Sequence, residues 1–296
     1  MLLNGRVAIV TGAGGGLGRT HALYLASQGA RVVVNDLTQE AADRVAAEIV
    51  AAGGEATGIA ASVTDEAAVG AMVAQVLERW GRVDILVSNA GILRDKSFAK
   101  MSLDDFRLVV DVHLMGAAVC AKAVWEVMRQ QTYGRIVLTT SSSGLYGNFG
   151  QANYGAAKMA LVGLMQTLAI EGEKYGVRVN CLAPTAATGM TEGVLSEENL
   201  RRLDPALVSP GLLALVSDDA PTRAILCAGA GHFATANVTL TDGRFIGGGP
   251  DAGEQVIRQW QLIANRADEI VPAYGFAQSE REVASADLMA KAVAEA

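Results

Sequence analysis

Arg6-Val7-Ala8-Ile9-Val10-Thr11-Gly12-Ala13-Gly14-Gly15-Gly16-Leu17-Gly18 is the stretch that decides the fold. Its first half is a short apolar run without polar alternation. That is the pattern of a strand buried on both faces of a parallel sheet. Its second half is glycine-rich and leads into a helical pattern, Leu17 to Gln28, stopped at Gly29. Glycines there let the backbone turn sharply and let a pyrophosphate approach the amides at a helix N-terminus. A glycine loop alone also suits a plain turn, so its neighbours must give it meaning.

The next run, Arg31-Val32-Val33-Val34-Asn35-Asp36, is β-branched and ends in a carboxylate. Strand, glycine loop, helix, strand and acid is the order that a dinucleotide requires. A carboxylate at that place accepts the ribose hydroxyls of NAD and repels a 2′-phosphate. No arginine directly follows Asp36, so NAD is expected rather than NADP.

Further along, strands are expected at Ala56–Ala61, Val83–Ser88, Arg135–Thr140 and Val177–Leu182, the last stopped by Pro184. Helices are expected at Ala41–Ala52, Asp65–Trp80, from the Ser102 cap to about Arg129, and at Tyr154–Tyr175. This alternation predicts an α/β doubly wound Rossmann fold, a parallel sheet of about seven strands with helices on both faces. From Thr185 to Thr222 the pattern loosens, and a last strand is expected near His232 to Leu240. The tail is helical, with Ser279 and Glu282 as a capping box. One dinucleotide-binding and catalytic domain is expected over 1–249, with 250–296 as its helical extension.

Composition narrows the class. The chain has 296 residues, 51% hydrophobic and 19% charged, which fits a packed globular protein. A net charge of -7 argues against a nucleic-acid surface. Cys120, Cys181 and Cys227 are far apart, and neither they nor His21, His113 and His232 show metal-ligand spacing, so no metal is expected. Neither a leader pattern nor an apolar run of about 18 residues is present in the sequence, so no membrane span and a cytoplasmic location are expected.

The chemistry is carried by Ser141, Tyr154 and Lys158. Tyr154 and Lys158 are four apart, which puts them on one face of a helix. An ammonium beside a phenol favours phenolate and lowers its pKa. A serine hydroxyl from a neighbouring strand can hold a substrate oxygen against that phenol. Together they form a proton-transfer device for an alcohol or a carbonyl. Ser88-Asn89-Ala90-Gly91, after the fourth strand, brings small residues to the cofactor and an amide that can bridge strands.

Thr11-Gly12-x-x-x-Gly16-x-Gly18, Asn89-Ala90-Gly91, Ser141 and Tyr154-x-x-x-Lys158 occur in this order. The set resembles the classical short-chain dehydrogenase/reductase family across most of the chain. Val33–Asp36, Asn89–Phe98, Tyr146–Tyr154 and Leu168–Gly172 further resemble the (3R)-hydroxyacyl-CoA dehydrogenase part of peroxisomal multifunctional enzymes of type 2. No room is left for the other parts of such enzymes, and Ala-Glu-Ala is not a peroxisomal address, so a stand-alone dehydrogenase is expected.

The resemblance implies roles. Tyr154 would exchange the proton, Lys158 would hold the nicotinamide ribose and Ser141 would position the substrate oxygen. Gly12, Gly16, Leu17, Gly18, Asp36, Ser62, Val63, Asn89, Ala90, Gly91, Pro184 and Thr188 would line the cofactor, with Thr191 an alternative to Thr188. Ser62 stands where the family often has Asp. His113 stands where it usually has Asn, as a fourth catalytic member or a packed helix residue.

The implied substrate is a (3R)-3-hydroxyacyl-CoA. The alternatives are a 17β-hydroxysteroid, a 3-oxoacyl carrier protein (normally reduced with NADPH, against which Asp36 argues) and a non-catalytic NAD sensor or scaffold. Arg94, Lys96, Lys100, Arg201 and Arg202 are candidates for CoA phosphates. A homodimer or homotetramer through the two long helices is also implied.

Overall fold

A computed structural model describes residues 1–187 and 197–294. They form two compact units, Met1–Ala236 and Asn237–Ala296, dividing earlier in the chain than the expected 249/250 boundary.

The first unit alternates strands and helices. β1 (Val7–Thr11), α1 (Gly16–Ser27), β2 (Arg31–Asp36), α2 (Gln39–Ala51), β3 (Glu55–Ala60), α3 (Glu66–Trp80) and β4 (Ile85–Ser88) make the first half. α4 (Leu103–Val110), a π-helical turn (Asp111–Met115) and α5 (Gly116–Gln131) form one continuous helix. β5 (Gly134–Thr139), α6 (Ser142–Tyr146), α7 (Ala152–Gly172), β6 (Val177–Thr185), α8 (Glu197–Arg202), α9 (Ser209–Val216), β7 (Ile225–Gly229) and β8 (His232–Ala236) complete the unit.

The sheet has eight strands in the order β3-β2-β1-β4-β5-β6-β7-β8. The first seven run parallel, and β8 is antiparallel to β7. The expectation of about seven strands is therefore corrected by one. β7 escapes the sequence pattern because Ile225-Leu226-Cys227-Ala228-Gly229 is short and half of it has little β preference. β8 ends at Ala236 rather than Leu240. β6 runs on through Pro184 to Thr185. β5 has ended at the Leu182–Thr139 pair, so only β7 accompanies this stretch, and a proline is tolerated on such an edge.

Alternation along the buried strands feeds two cores. Ala8, Val10, Val32 and Val34 pack with α1, α2 and α9. Val7, Ile9 and Val33 pack on the other face with α3, α5 and α7. Leu103–Gln131 is long and apolar enough to cross a membrane by length and composition. Here its buried face, including Val109, Ala117, Cys120, Val124 and Met128, is covered by the sheet and its neighbouring helices. Ser102 caps this helix by accepting from the Asp105 N–H at 3.0 Å.

The strand order reverses between β1 and β4, so the loops after them diverge and open a crevice at the strand C-termini.

The second unit carries α10 (Ala252–Arg258), α11 (Trp260–Ile263) and α12 (Ala277–Ala294), with a bridge between Leu240 and Ile270. The expected capping box is corrected. α12 begins at Ala277, so Ser279 is already inside it and donates to the Phe276 carbonyl at 2.9 Å, while Glu282 accepts from Gln278.

Candidate active site

The crevice is a cavity of about 660 Å³. At one end the β1–α1 loop approaches β4 closely. Gly12 has φ +63°, and a Cβ there would lie 2.7 Å from Ala90 Cα. A Cβ on Gly18 would lie 2.2 Å from the Gly12 carbonyl oxygen, so glycine lets α1 seat directly on the loop. No side chain caps α1 at Gly15, and a Cβ there would meet nothing within 4 Å. The first amides of α1 thus face open space, as an anion cradle requires.

Thr11 and Asn89 fasten this loop to β4. Thr11 Oγ1 accepts from the Asn89 and Ala90 N–H groups at 3.0 and 3.1 Å. Asn89 Nδ2 donates to the carbonyls of Thr11 and Gly12 at 3.1 and 3.3 Å. The amide does bridge strands, as its position implied. The part of Thr11 was not foreseen, although its place at the strand end was a usable signal.

Asp36 stands at the end of β2 and lines the cavity. Its carboxylate accepts from the Gly14 and Leu37 N–H groups, each at 2.8 Å. Arg44 reaches the same loop from α2 and donates to the Gly14 carbonyl at 2.8 Å. Arg44 lies eight residues beyond Asp36, and nothing in the local sequence signals its reach to Gly14. Ser62 lines the cavity with its hydroxyl 2.9 Å from that of Thr64. The glycine cradle, exposed helix amides and terminal carboxylate fit a dinucleotide.

At the other end, Ser141 caps α6, its Oγ accepting from the Ser143 N–H at 3.2 Å. Tyr154 and Lys158 come from consecutive turns of α7, with Lys158 Nζ 5.5 Å from the Tyr154 ring centre. Lys158 Nζ donates to the Thr139 carbonyl at 2.5 Å. His113 lies in the π-helical turn and meets Tyr154 edge-on, the ring centres 5.1 Å apart. Its Nε2 sits 3.1 Å from Ile92 N and 2.8 Å from Ile92 O, while its buried Nδ1 has no partner among the described residues. Gly91 makes room for that ring, since a Cβ there would lie 2.2 Å from His113 Cε1.

Burial sets the charge states. It pulls Lys158 down to about 7 and His113 down to about 3, the latter helped by the nearby Lys158 charge. Tyr154 is raised, foremost by burial, with the Ser141 hydrogen bond opposing and the Asp95 carboxylate adding. The expectation that Lys158 lowers this phenol's pKa is therefore not met. Desolvation outweighs the Ser141 hydrogen bond, and burial draws Lys158 itself towards neutrality.

Gly12, Gly16, Leu17, Gly18, Asp36, Ser62, Val63, Asn89, Ala90, Gly91, His113, Ser141, Tyr154, Lys158 and Pro184 all line this one cavity. Thr188 and its alternative Thr191 lie outside the described residues. Asn35, Thr139, Asn148 and Gln151 also line it and were not singled out. Of the phosphate candidates, Lys96 is 3.2 Å from Asp105, Arg94 is 4.0 Å from the same carboxylate, and Arg202 pairs with Glu198.

Residues 6–199 match the family model described as short chain dehydrogenase. The peroxisomal multifunctional enzyme type 2 of Drosophila melanogaster is 52% identical over 216 residues, 70% of this chain and 36% of that enzyme. A putative short-chain type dehydrogenase/reductase of Mycobacterium tuberculosis is 44% identical over 270 residues, 88% of this chain and 94% of its own length. The full-length structure of the fly enzyme superposes with a TM-score of 0.80 at 38% identity, covering 96% of this chain and 49% of that one. This chain thus spans about a third of the multifunctional relative's sequence. The glycine cradle and the Ser-Tyr-Lys cluster sit where the matched sequence runs, and the chain belongs to the short chain dehydrogenase family, oxidoreductases of CH–OH groups that use a nicotinamide cofactor.

Proposed function

We propose that this chain is an NAD-dependent dehydrogenase of (3R)-3-hydroxyacyl-CoA. The observation that carries the reading is one cavity with Asp36 at one end and Ser141, Tyr154 and Lys158 at the other. The hydroxyacyl-CoA assignment rests on the resemblance of the segments around Asn89 and Tyr154 and on the multifunctional relatives.

The glycine loop and α1 N-terminus would hold the pyrophosphate, Asp36 the adenosine ribose and Lys158 the nicotinamide ribose. NAD, when bound, supplies the hydride acceptor and a positive charge. Ser141 holds the substrate hydroxyl against Tyr154, and Tyr154 Oη takes its proton as the carbon is oxidised. The phenol must ionise for this, and burial alone opposes ionisation. The positive charge that NAD would supply would favour phenolate and offset that opposition. Desolvation also makes Lys158 a ready proton partner near neutral pH. His113 holds the Ile92 backbone and stays neutral.

We propose further that residues 1–249 carry this chemistry with 250–296 as its helical extension, that the enzyme is a homodimer or homotetramer, and that it is cytoplasmic. The multifunctional relatives are named for peroxisomes, and fractionation decides the compartment. A panel of (3R)-hydroxyacyl-CoAs and 17β-hydroxysteroids, assayed with NAD and with NADP, tests the function. Turnover is expected with the CoA thioesters and NAD. Turnover with NADP alone would overturn the Asp36 assignment.

A further inference from the structure

A carboxylate outside the cavity reaches the catalytic serine through a chain of hydrogen bonds. Asp95 lies in the loop after β4 and is exposed. Its Oδ2 accepts from Gln151 Nε2 at 2.6 Å. Gln151 Oε1 accepts from Ser143 Oγ at 2.7 Å and from Asn148 Nδ2 at 3.2 Å. The Ser143 N–H donates to Ser141 Oγ at 3.2 Å. Gln151, Asn148, Ser143 and Ser141 all line the cavity.

Two more bonds lace the same segments together. Lys96 N donates to the Gly150 carbonyl at 3.0 Å, and Asn153 Nδ2 donates to the Arg94 carbonyl at 3.1 Å. Tyr154 is the next residue, and its own N–H is held by Asn153 Oδ1 at 2.7 Å.

The chain has a direction. A carboxylate accepts only, so it selects the NH₂ side of the Gln151 amide. The Gln151 oxygen must then face Ser143 and Asn148, which fixes the Ser143 hydroxyl as a donor. Ser141 Oγ accepts from a backbone N–H, which leaves its own proton for an oxygen on the reacting side. Without Asp95 the amide can flip, and the order of donors along this wall is lost.

We propose that Asp95 is a positioning residue for the alcohol–ketone reaction: it sets the orientation of Gln151 on the substrate wall. The inference rests on the proposed function for its substrate and not for its geometry.

Four groups face Tyr154 or its lysine. Lys158 lies one turn along α7, and His113 comes edge-on from the π-helical turn. Asp95 comes from the loop after β4, and Cys181 comes from β6 beside Lys158. His113, held down to about 3, and the Cys181 thiol, pushed up to about 12, are neutral through the assay range. Lys158 is lowered to about 7, and the Asp95 carboxylate adds to the rise that burial imposes on the phenol's pKa. Arg94 and Lys96 flank Asp95 but both reach towards Asp105.

Three variants separate charge from geometry. Asp95→Asn keeps an acceptor and removes the charge. Asp95→Ala removes both. Gln151→Ala keeps the charge and removes the amide. The readouts are KM and the pH profile of kcat/KM for oxidation, whose acid limb reports the group that must lose a proton. Asp95→Asn should move that limb to lower pH by about half a unit with KM near wild type. Asp95→Ala should add a KM increase of about threefold to tenfold, and Gln151→Ala should raise KM without moving the limb.

Wild-type KM and an unmoved limb in both Asp95 variants would overturn the inference. If the wild type oxidises nothing in the panel, it is the proposed function that fails. Asp95 is then read by tyrosinate absorbance, taking the difference between each protein and its Tyr154→Phe form. A lower phenol titration in Asp95→Asn supports the inference, and coincident curves overturn it.

Discussion

The two ends of the central sheet both bury charge, and they treat it in opposite ways. At the N-terminal ends of the strands, the fully buried Asp84 carboxylate accepts from Arg6, Arg82 and the Val7 N–H. Arg135 sends its donors to the carbonyls of Gly134, Gly176, Ser217 and Asp218. Tyr133 lies between the Arg6 and Arg135 guanidinium groups, its ring centre 3.7 and 4.1 Å from them. At the C-terminal ends, Lys158 donates to Thr139's carbonyl, and among the described residues Asn35 Oδ1, His113 Nδ1 and Thr139 Oγ1 have no partner. Among the described residues, these are three of the five buried side-chain atoms left unpartnered.

The contrast separates structure from function. A satisfied network gains little from a ligand and holds strands together. An under-satisfied one costs stability, and its open partners are what a cofactor and substrate can supply.

The sharpest test of the open end is Tyr154→Phe. It should lower turnover by about 10²- to 10⁴-fold while cofactor binding, followed by fluorescence, and thermal stability stay near wild type. A variant as active as wild type would remove Tyr154 from the chemistry.

The closed end answers to Asp84→Ala. Two arginines and a backbone N–H lose their acceptor, and urea unfolding should show a loss of about 3–5 kcal/mol. Turnover per folded molecule should not change. An unaltered denaturation midpoint would mean that the network is ornamental.

Lys158→Met joins the two ends in one experiment. It should abolish turnover yet stabilise the cofactor-free protein below neutral pH, by about 1–3 kcal/mol, because a desolvated ammonium is removed. Lys158 falls from 10.5 unfolded to about 7 folded, so between those values the unfolded chain holds more protons. Stability therefore gains a rising contribution with pH across that window. Wild type should show this slope against Lys158→Met, measured by unfolding at several pH values. An identical pH dependence in the two proteins refutes the lowered lysine.

The smallest change is expected from His113→Asn. With the imidazole neutral at ordinary pH, its loss removes a backbone contact and not a charge. Turnover should fall by about tenfold or less, with an unchanged pH profile. Loss of activity with intact cofactor binding would place His113 in the proton path.

Much of this was legible in the sequence. Continuous β-branched runs gave the parallel strands, and the glycine loop with Asp36 gave the cofactor end. The spacing of Tyr154 and Lys158 pointed to the chemistry proposed for the site. β7 was not legible, because a run of five residues ending in Ala228 and Gly229 carries no period that distinguishes it from a loop. The capping box at Ser279 misled for the same reason, since its pattern also occurs inside a helix. Thr11 and Arg44 were missed because their partners are distant in sequence.

What the sequence determined by itself is local: each strand, each cap, the shared helix face of Tyr154 and Lys158, and the flexibility of the glycine loop. These follow from backbone sterics and short-range periodicity. Only the tertiary structure decided which segments meet. It set His113 edge-on to Tyr154, joined Asp95 through Gln151 and Ser143 to Ser141, and reversed the expected shift of the Tyr154 phenol. Burial and long-range electrostatics depend on everything packed around a group, and no window of neighbouring residues contains that information.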